Sequence, residues 1–318
     1  MGDTFLVRTF GCQMNKHDSE RVSGLLRASG MTPAADAAAA DVIVFMTCCV
    51  RESADERLYG QVASLKAAAR ARRRGPLVAV GGCIGQRDGD ALLARLPQAD
   101  VVFGTHNLAR LPSLLEAARD ARAPVVEIVD SSTEFTSDLP SDREHPWHAW
   151  VPITIGCDNF CAYCIVPHVR GRERSRTLED VAEECERLAS EGVVEVTLLG
   201  QNVNSYGRDL YGHPRFADVL VSVARTGIRR IRFATSHPKD LLDETIRAMA
   251  DVPQVARSLH LPVQSGSDRV LSAMNRSYTR DTYLDLTSRV MEAMPTAALS
   301  TDIIVGFPGE TEEDFAQT

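Results

Sequence analysis

Short apolar runs rich in β-branched residues recur along this chain, each followed by an amphipathic stretch of helical length. FLVRTF, DVIVFM, PLVAVGG and DVVFG fall in the first 122 residues, separated by segments such as SERVSGLLRASG and ADERLYGQVASLKAAARARRR. A strand-length apolar run alternating with a helix-length amphipathic one predicts parallel pairing with crossover helices, here a doubly wound α/β sheet. From residue 151 the rhythm resumes with VPITI, VEVTLLG, IRRIRFAT, RSLHLPV and ALSTDIIVG, five βα units in series. Five such units predict a full or partial (β/α) barrel rather than another open sheet. In GETEEDFAQT, Thr311 and Asp314 have the spacing of a capped helix start.

Charge divides the chain between these two regions. Residues 1–122 hold 16 basic and 13 acidic side chains, whereas residues 123–144 hold one basic and six acidic within a turn-rich sequence. That break predicts an acidic linker at 123–144 between an N-terminal domain, 1–122, and a second domain, 145–318. The net charge of −8 argues against nucleic-acid binding by bulk charge but leaves room for local basic patches. VRGRERSR at 169–176 is one; the RARRR run at 70–74 reads as helix-end cations that suit the dipole. No apolar run reaches 18 residues and no secretory leader pattern opens the chain, which predicts a cytoplasmic protein without membrane association.

Eight cysteines in such a protein read as ligands or reactive groups rather than as disulfides. Cys157, Cys161 and Cys164 form C-x3-C-x2-C directly after VPITI. Three thiolates on one loop can hold a 4Fe-4S cluster with one iron left open; a zinc loop borrowing His168, or three buried thiols, are the alternatives. Cys12, Cys48 and Cys83 are separated by 36 and 35 residues, one βα unit each. Each therefore falls just past the C-terminal end of a strand, the edge where open α/β sheets bind ligands; three unrelated core cysteines is the alternative. GGCIGQ does not fit the dinucleotide fingerprint. Cys49 adjoins Cys48, and spacing does not separate their roles. Cys185 reads as a small buried residue of the helix LEDVAEECERLAS.

These segments together resemble a known family, the radical S-adenosylmethionine (SAM) methylthiotransferases. GCDNFCAYCIVPHVRGRERSR resembles the family's radical-SAM cluster loop, and TFGCQMN, TCCVRE and GGCIGQ resemble its N-terminal cluster motifs. LLGQNVNSYG, RFATSHP, HLPVQSGSDRVLSAMNR and STDIIVGFPGETEEDF extend the likeness almost throughout. Gln13-Met14-Asn15 is similar to the branch that acts on isopentenylated adenosine in tRNA, rather than the threonylcarbamoyladenosine or ribosomal-protein branches.

The resemblance implies two 4Fe-4S clusters, one on Cys157, Cys161 and Cys164 that takes SAM, the other on Cys12, Cys48 and Cys83, with Cys49 at a small-residue position. It implies methylthiolation of carbon 2 of N6-isopentenyladenosine beside the anticodon; a non-catalytic iron-sulfur fragment that binds RNA is the rival reading. Tyr163 either packs on SAM or supports the loop, and Gly200, Gln201, Gln264, Ser265 and Gly266 read as SAM contacts by position and resemblance, with ordinary turn chemistry as the alternative. Arg170, Arg172, Arg174 and Arg176 read, from their placement beside the cysteine loop, as contacts to anticodon-loop phosphates, with a solvated charge run as the rival. Its implied partners are the tRNA anticodon stem-loop and a reductant such as a flavodoxin or ferredoxin, with the chain a monomer. Family members carry a sixth βα unit and an RNA-binding β-barrel domain that this sequence does not contain, so it is expected to be C-terminally truncated.

Overall fold

The computed structural model describes residues 3–49, 52–69, 75–131 and 135–318. The RARRR run at 70–74 lies outside them. The chain divides into two compact units, Met1–Glu144 with His168–Gly171, and His145–Pro167 with Arg172–Thr318.

The first unit runs β1 (Thr4–Thr9), α1 (Gln13–Ala28), β2 (Thr32–Pro33), β3 (Val42–Thr47), α2 (Glu52–Ala69), β4 (Leu77–Gly82), α3 (Cys83–Asp88), α4 (Ala91–Arg95), β5 (Val101–Phe103), α5 (Leu111–Ala121) and β6 (Val125–Glu127). The strands form one parallel sheet in the order β2-β1-β3-β4-β5-β6. Strand β3 shows why the sheet is covered on both sides. Val42, Val44 and Met46 pack with Leu26 of α1 and Leu111 and Leu115 of α5, while Ile43 and Phe45 pack with Leu58 and Val62 of α2 and Leu92 of α4. Period-two alternation thus gives two apolar faces, the arrangement of a doubly wound sheet.

Segment 123–144, expected as a linker, is drawn into this unit. Val125 and Val126 suit a strand despite the acidic surroundings, and Val125–Glu127 pairs parallel with β5. Further on, Arg21 Nη1 donates to Leu139 O at 2.5 Å, and Gly24 lacks a Cβ where Pro140 O would lie 2.2 Å away. Its backbone groups are satisfied against α1, which a composition break cannot reveal.

The second unit contains β7 (His148–Pro152), β8 (Thr154–Ile155), the junction helix α6 (Val166–Arg170), β9 (Arg174–Ser175), α7 (Leu178–Ser190), β10 (Glu195–Leu199), α8 (Arg208–Tyr211), α9 (Phe216–Ala224), β11 (Arg230–Phe233), α10 (Asp243–Asp251), β12 (Ser258–His260), α11 (Asp268–Ala273), α12 (Arg280–Ala293), β13 (Ala298–Ser300) and α13 (Glu312–Gln317). Strands β7, β10 and β11 pair in parallel, as do β12 and β13, and a single parallel bridge from Ile231 to Val255 carries the pairing between the groups. Val181, Cys185 and Leu188 of α7, Phe216 and Val219 of α9, and Met249 of α10 bury against this inner sheet. This is the partial (β/α) barrel that five successive βα units predict.

Caps set where its helices begin. Thr177 accepts from Asp180 N at 3.1 Å ahead of α7, and Thr311 accepts from Asp314 N at 3.2 Å ahead of α13, the latter a full capping box. One pairing breaks the parallel pattern: β8 and β9 are antiparallel, Thr154 opposite Ser175 and Ile155 opposite Arg174. Their pairing closes the base of the segment that carries Cys157, Cys161 and Cys164.

Candidate cluster-binding sites

Within the first unit β1, β3 and β4 are neighbours, and their C-terminal ends align, with Thr9 opposite Met46 and Met46 opposite Gly81. Cys12, Cys48 and Cys83 follow those ends by three, one and one residues. Parallel strands lie about 4.8 Å apart, so three loops leaving adjacent strands bring Cys12, Cys48 and Cys83 to one edge of the sheet. Cys48 lies beside Cys12, and Cys49 beside Cys83.

Gly11 makes this approach possible. It sits at φ +107°, and a Cβ there would lie 2.1 Å from Cys48 Cβ and 2.7 Å from Cys48 Sγ. Polar side chains then tie the loops together. Asn15, fully buried, donates through Nδ2 to Phe10 O at 2.7 Å and to Thr47 O at 2.8 Å. Thr47 Oγ1 donates to Gly81 O at 2.7 Å and accepts from Ile84 N at 3.1 Å.

The electrostatics favour thiolates at two of these positions. Cys12 is lowered to about 6, first by the hydrogen bond from Cys48 and then, against burial, by the charge of Arg170. Cys83 is lowered to about 7, first by the hydrogen bond from Cys49 and then, again against burial, by Arg170. Cys49 moves upward, chiefly because it donates to Cys83. Thiolates are soft donors suited to iron-sulfur centres, so the donor chemistry of Cys12, Cys48 and Cys83 fits such a group.

In the second unit Cys157 is buried, while Cys161 and Cys164 are partly exposed. Burial pushes the Cys157 thiol up to about 11 and raises Cys164 as well. Cys164 N donates to Cys161 O at 2.9 Å, and Ala162 N donates to Met274 O at 3.0 Å, which fixes the loop against the α11 end. Among the described residues no three His, Cys, Asp or Glu side chains close on a single-ion site. Around the strand ends, buried Thr154 Oγ1, Asn202 Oδ1, Asn204 Nδ2 and Ser236 Oγ have no hydrogen-bond partner. Native interiors rarely leave so many polar atoms unspent in one place, and this set fits a polar ligand at the C-terminal edge of the barrel.

The residues expected to contact SAM have mixed surroundings. Tyr163 is 41% exposed, packs edge-on to Phe307 at 6.5 Å, and lies 5.9 Å below the Arg276 guanidinium. A Cβ on Gly200 would lie 2.2 Å from Thr154 Oγ1, so glycine keeps that hydroxyl's surroundings open. Gln201 Oε1 accepts from Gly156 N at 2.5 Å and so shapes the start of the cysteine loop. Gln264 holds φ +70°. Ser265 and Gly266 meet Thr318, whose Oγ1 accepts from Gly266 N at 2.8 Å.

Two of the four arginines expected to meet RNA are interior instead. Arg170 is 5% exposed and pairs with Asp18 at 2.9 Å; Arg176 is 6% exposed and pairs with buried Glu184. A guanidinium so enclosed is unavailable to phosphate. Arg172 is 74% exposed, and Arg174 is partly exposed in β9. Cys185 is buried in α7, where burial pushes its thiol up to about 12.

His237, after β11, is held down to about 3, first by burial and then by Arg276, and its Nδ1 accepts from Lys239 N at 3.2 Å. A histidine depressed in the folded state keeps stability above its unfolded value of about 6.5 and loses it as pH falls toward 3. His237→Asn, which retains an acceptor, is expected to flatten the acid limb of thermal melts between pH 6.5 and 3; an unchanged limb would refute the shift.

A family model described as the radical SAM superfamily matches residues 151–318, more than half of the chain. The chain belongs to the radical SAM superfamily. A second family model, described as an uncharacterized protein family, UPF0004, matches residues 4–104. Curated relatives from Frankia alni (54% identical, covering 100% of this chain and 64% of the relative) and Acidothermus cellulolyticus (54%, 99% and 63%) are named tRNA-2-methylthio-N(6)-dimethylallyladenosine synthase. A Streptomyces viridosporus relative of the same name is 52% identical, covering 99% and 63%. The chain thus spans less than two thirds of these relatives' length.

Among solved structures, the radical SAM methyltransferase TsrM from Kitasatospora setae, with cobalamin and a [4Fe-4S] cluster bound, matches with TM-score 0.63 at 15% identity, over 99% of this chain and 71% of that one. The cobalamin-dependent SAM radical enzyme OxsB matches at 0.60 and 12%, over 99% and 51%. At that identity both speak to fold alone. Among the described residues no helix is long and apolar enough to cross a membrane.

Proposed function

We propose that this chain carries the catalytic machinery of a tRNA methylthiotransferase that converts N6-isopentenyladenosine beside the anticodon to its 2-methylthio derivative. The observation that carries this reading is the second thiol set: a superfamily defined by one cysteine loop does not require Cys12, Cys48 and Cys83 at three adjacent strand ends. Relatives that carry the name of this activity and match the chain along its whole length support it.

In this reading Cys157, Cys161 and Cys164 hold one 4Fe-4S cluster, and Cys12, Cys48 and Cys83 hold the other. When bound, these clusters and SAM supply the radical and sulfur-transfer chemistry that an unactivated aromatic C–H bond demands. The protein's own residues bind and position. Thr154, Asn202, Asn204 and Ser236 offer unspent polar atoms to SAM, with Tyr163, Gly200, Gln264, Ser265 and Gly266 around them and Gln201 bracing the loop at Gly156. In the first unit Asn15 and Thr47 tie together the loops that would hold the centre. Arg172 and Arg174 are the arginines left to meet tRNA phosphates. A flavodoxin or ferredoxin as reductant, a monomeric state and a cytoplasmic setting complete the proposal.

Three measurements test it. Mass analysis of tRNA from cells lacking the gene is expected to show isopentenyladenosine without its methylthio group; persistence of the methylthio form would contradict the substrate assignment. Arg172→Ala is expected to lower the salt slope of tRNA binding by about 1, the signature of one lost phosphate contact, and an unchanged slope would remove Arg172 from the interface. After anaerobic reconstitution, Cys48→Ala is expected to lose about half of the iron and Cys49→Ala to keep it; the reverse result would exchange the two assignments.

A further inference from the structure

Arg170 is a buried cation among thiols. It follows Cys164 by six residues, yet residues 168–171 belong to the first unit. Its Nη2 donates to Asp18 Oδ2 at 2.9 Å and to Asn15 Oδ1 at 3.1 Å. Its charge also bears on Cys83, favouring the thiolate. Neighbouring Thr105 Oγ1 donates to Val169 O at 2.7 Å, so the backbone carrying Arg170 is itself fixed.

A charge so enclosed persists only where opposite charge surrounds it. Asp18 supplies one carboxylate, which it shares with His17 at 3.1 Å. Against the cost of burial, the charges of Asp18, Cys83 and Cys12 hold Arg170 protonated. Arg170 therefore pairs with a carboxylate and, through Asn15, reaches the loops that carry Cys12 and Cys48.

Resting on the reading of Cys12, Cys48 and Cys83 as a cluster site, we propose that Arg170 is the positioning residue and fixed counter-charge of that site. It braces the Cys12 and Cys48 loops through Asn15, and its positive charge favours the more negative, reduced form of the bound centre. The direction follows from charge alone: each electron added beside a buried cation is stabilised by it.

The test uses the full chain with Cys157, Cys161 and Cys164 replaced by alanine, so that only one cluster titrates. It is reconstituted anaerobically with iron and sulfide and followed by EPR against solution potential. Arg170→Gln is expected to shift the one-electron equilibrium at least tenfold toward the oxidised form, a potential lower by about 59 mV. Arg170→Lys is expected to restore most of the shift, because it returns the charge. Asp18→Asn is expected to shift the potential upward, because it strips negative charge from the cation's far side. An Arg170→Gln potential equal to the parent's, or shifts of the same sign in Arg170→Gln and Asp18→Asn, would overturn the proposal, since loss of packing alone has no reason to reverse sign. If Arg170→Gln takes up no iron, Asp18→Asn decides alone: a rise supports the counter-charge and no rise overturns it. A parent that binds no iron would instead remove the cluster reading, and this inference with it.

Discussion

Gly11→Ala is expected to empty the thiol cradle of the first unit while sparing the cysteine loop of the second. At φ +107° an alanine is strained in any surroundings, at roughly 1–2 kcal/mol even in the milder left-handed region. The new methyl would also stand 2.1 Å from Cys48 Cβ. Cys48 sits one residue past β3, whose every residue is buried, so it cannot step back without moving the strand end. Overpacking of that kind costs about 1–3 kcal/mol more. The expected readout after anaerobic reconstitution is a fall from about eight irons per chain to about four, with SAM still able to bind. Full iron retention would show that Cys48 does not need its place beside Cys12.

Arg176→Ala is expected to produce the largest loss of stability among single changes in the second unit. Arg176 and Glu184 are both buried, at 6% and 2% exposure, and the guanidinium also donates to Pro152 O at 3.2 Å and Asp180 O at 3.0 Å. Removing Arg176 leaves buried Glu184 facing the more exposed Arg187 at 3.9 Å, and breaking a buried pair in this way costs up to about 3–5 kcal/mol. For a unit of this size that lowers Tm by roughly 6–20 °C. The salt slope of tRNA binding should stay where it was. A large change of slope with little change in Tm would return Arg176 to the RNA-facing set.

Those two arginines mark where the sequence stops being legible. Arg170, Arg172, Arg174 and Arg176 look equivalent in VRGRERSR, and proximity to the cysteine loop favours RNA for all four. What separates them is whether the carboxylate each finds is buried: Asp18 for Arg170, 152 residues away, and Glu184, one helix later, for Arg176, whereas Asp158 beside Arg172 is exposed. Burial of a charge is decided by such partners, which local composition does not reveal. Segment 123–144 is a similar case, because its acidity describes the solvent side while Val125 and Val126 extend the sheet.

The cysteine phases were legible for a physical reason. In a parallel sheet every strand C-terminus lies on one edge, so cysteines one βα unit apart reach that edge together wherever their strands are adjacent. Adjacency of β1, β3 and β4 satisfies that condition. Polar residues that hold the loops were harder to read. Asn15 appears in a motif without a role, and Thr47 ends an apolar strand as an ordinary β-former, yet both act on backbone atoms more than thirty residues distant. Thr154, Asn202, Asn204 and Ser236 become informative only once burial shows that their hydrogen-bonding atoms are unspent.

The central claim is that two separate cysteine sets each hold an iron-sulfur cluster. Iron and sulfide analysis of three anaerobically reconstituted proteins tests it most directly: the parent, a Cys12/Cys48/Cys83→Ala triple variant, and a Cys157/Cys161/Cys164→Ala triple variant. The account predicts about eight irons in the parent and about four in each variant, with reductive SAM cleavage kept by the first variant and lost from the second. About four irons in the parent, unchanged by Cys12/Cys48/Cys83→Ala, would contradict it.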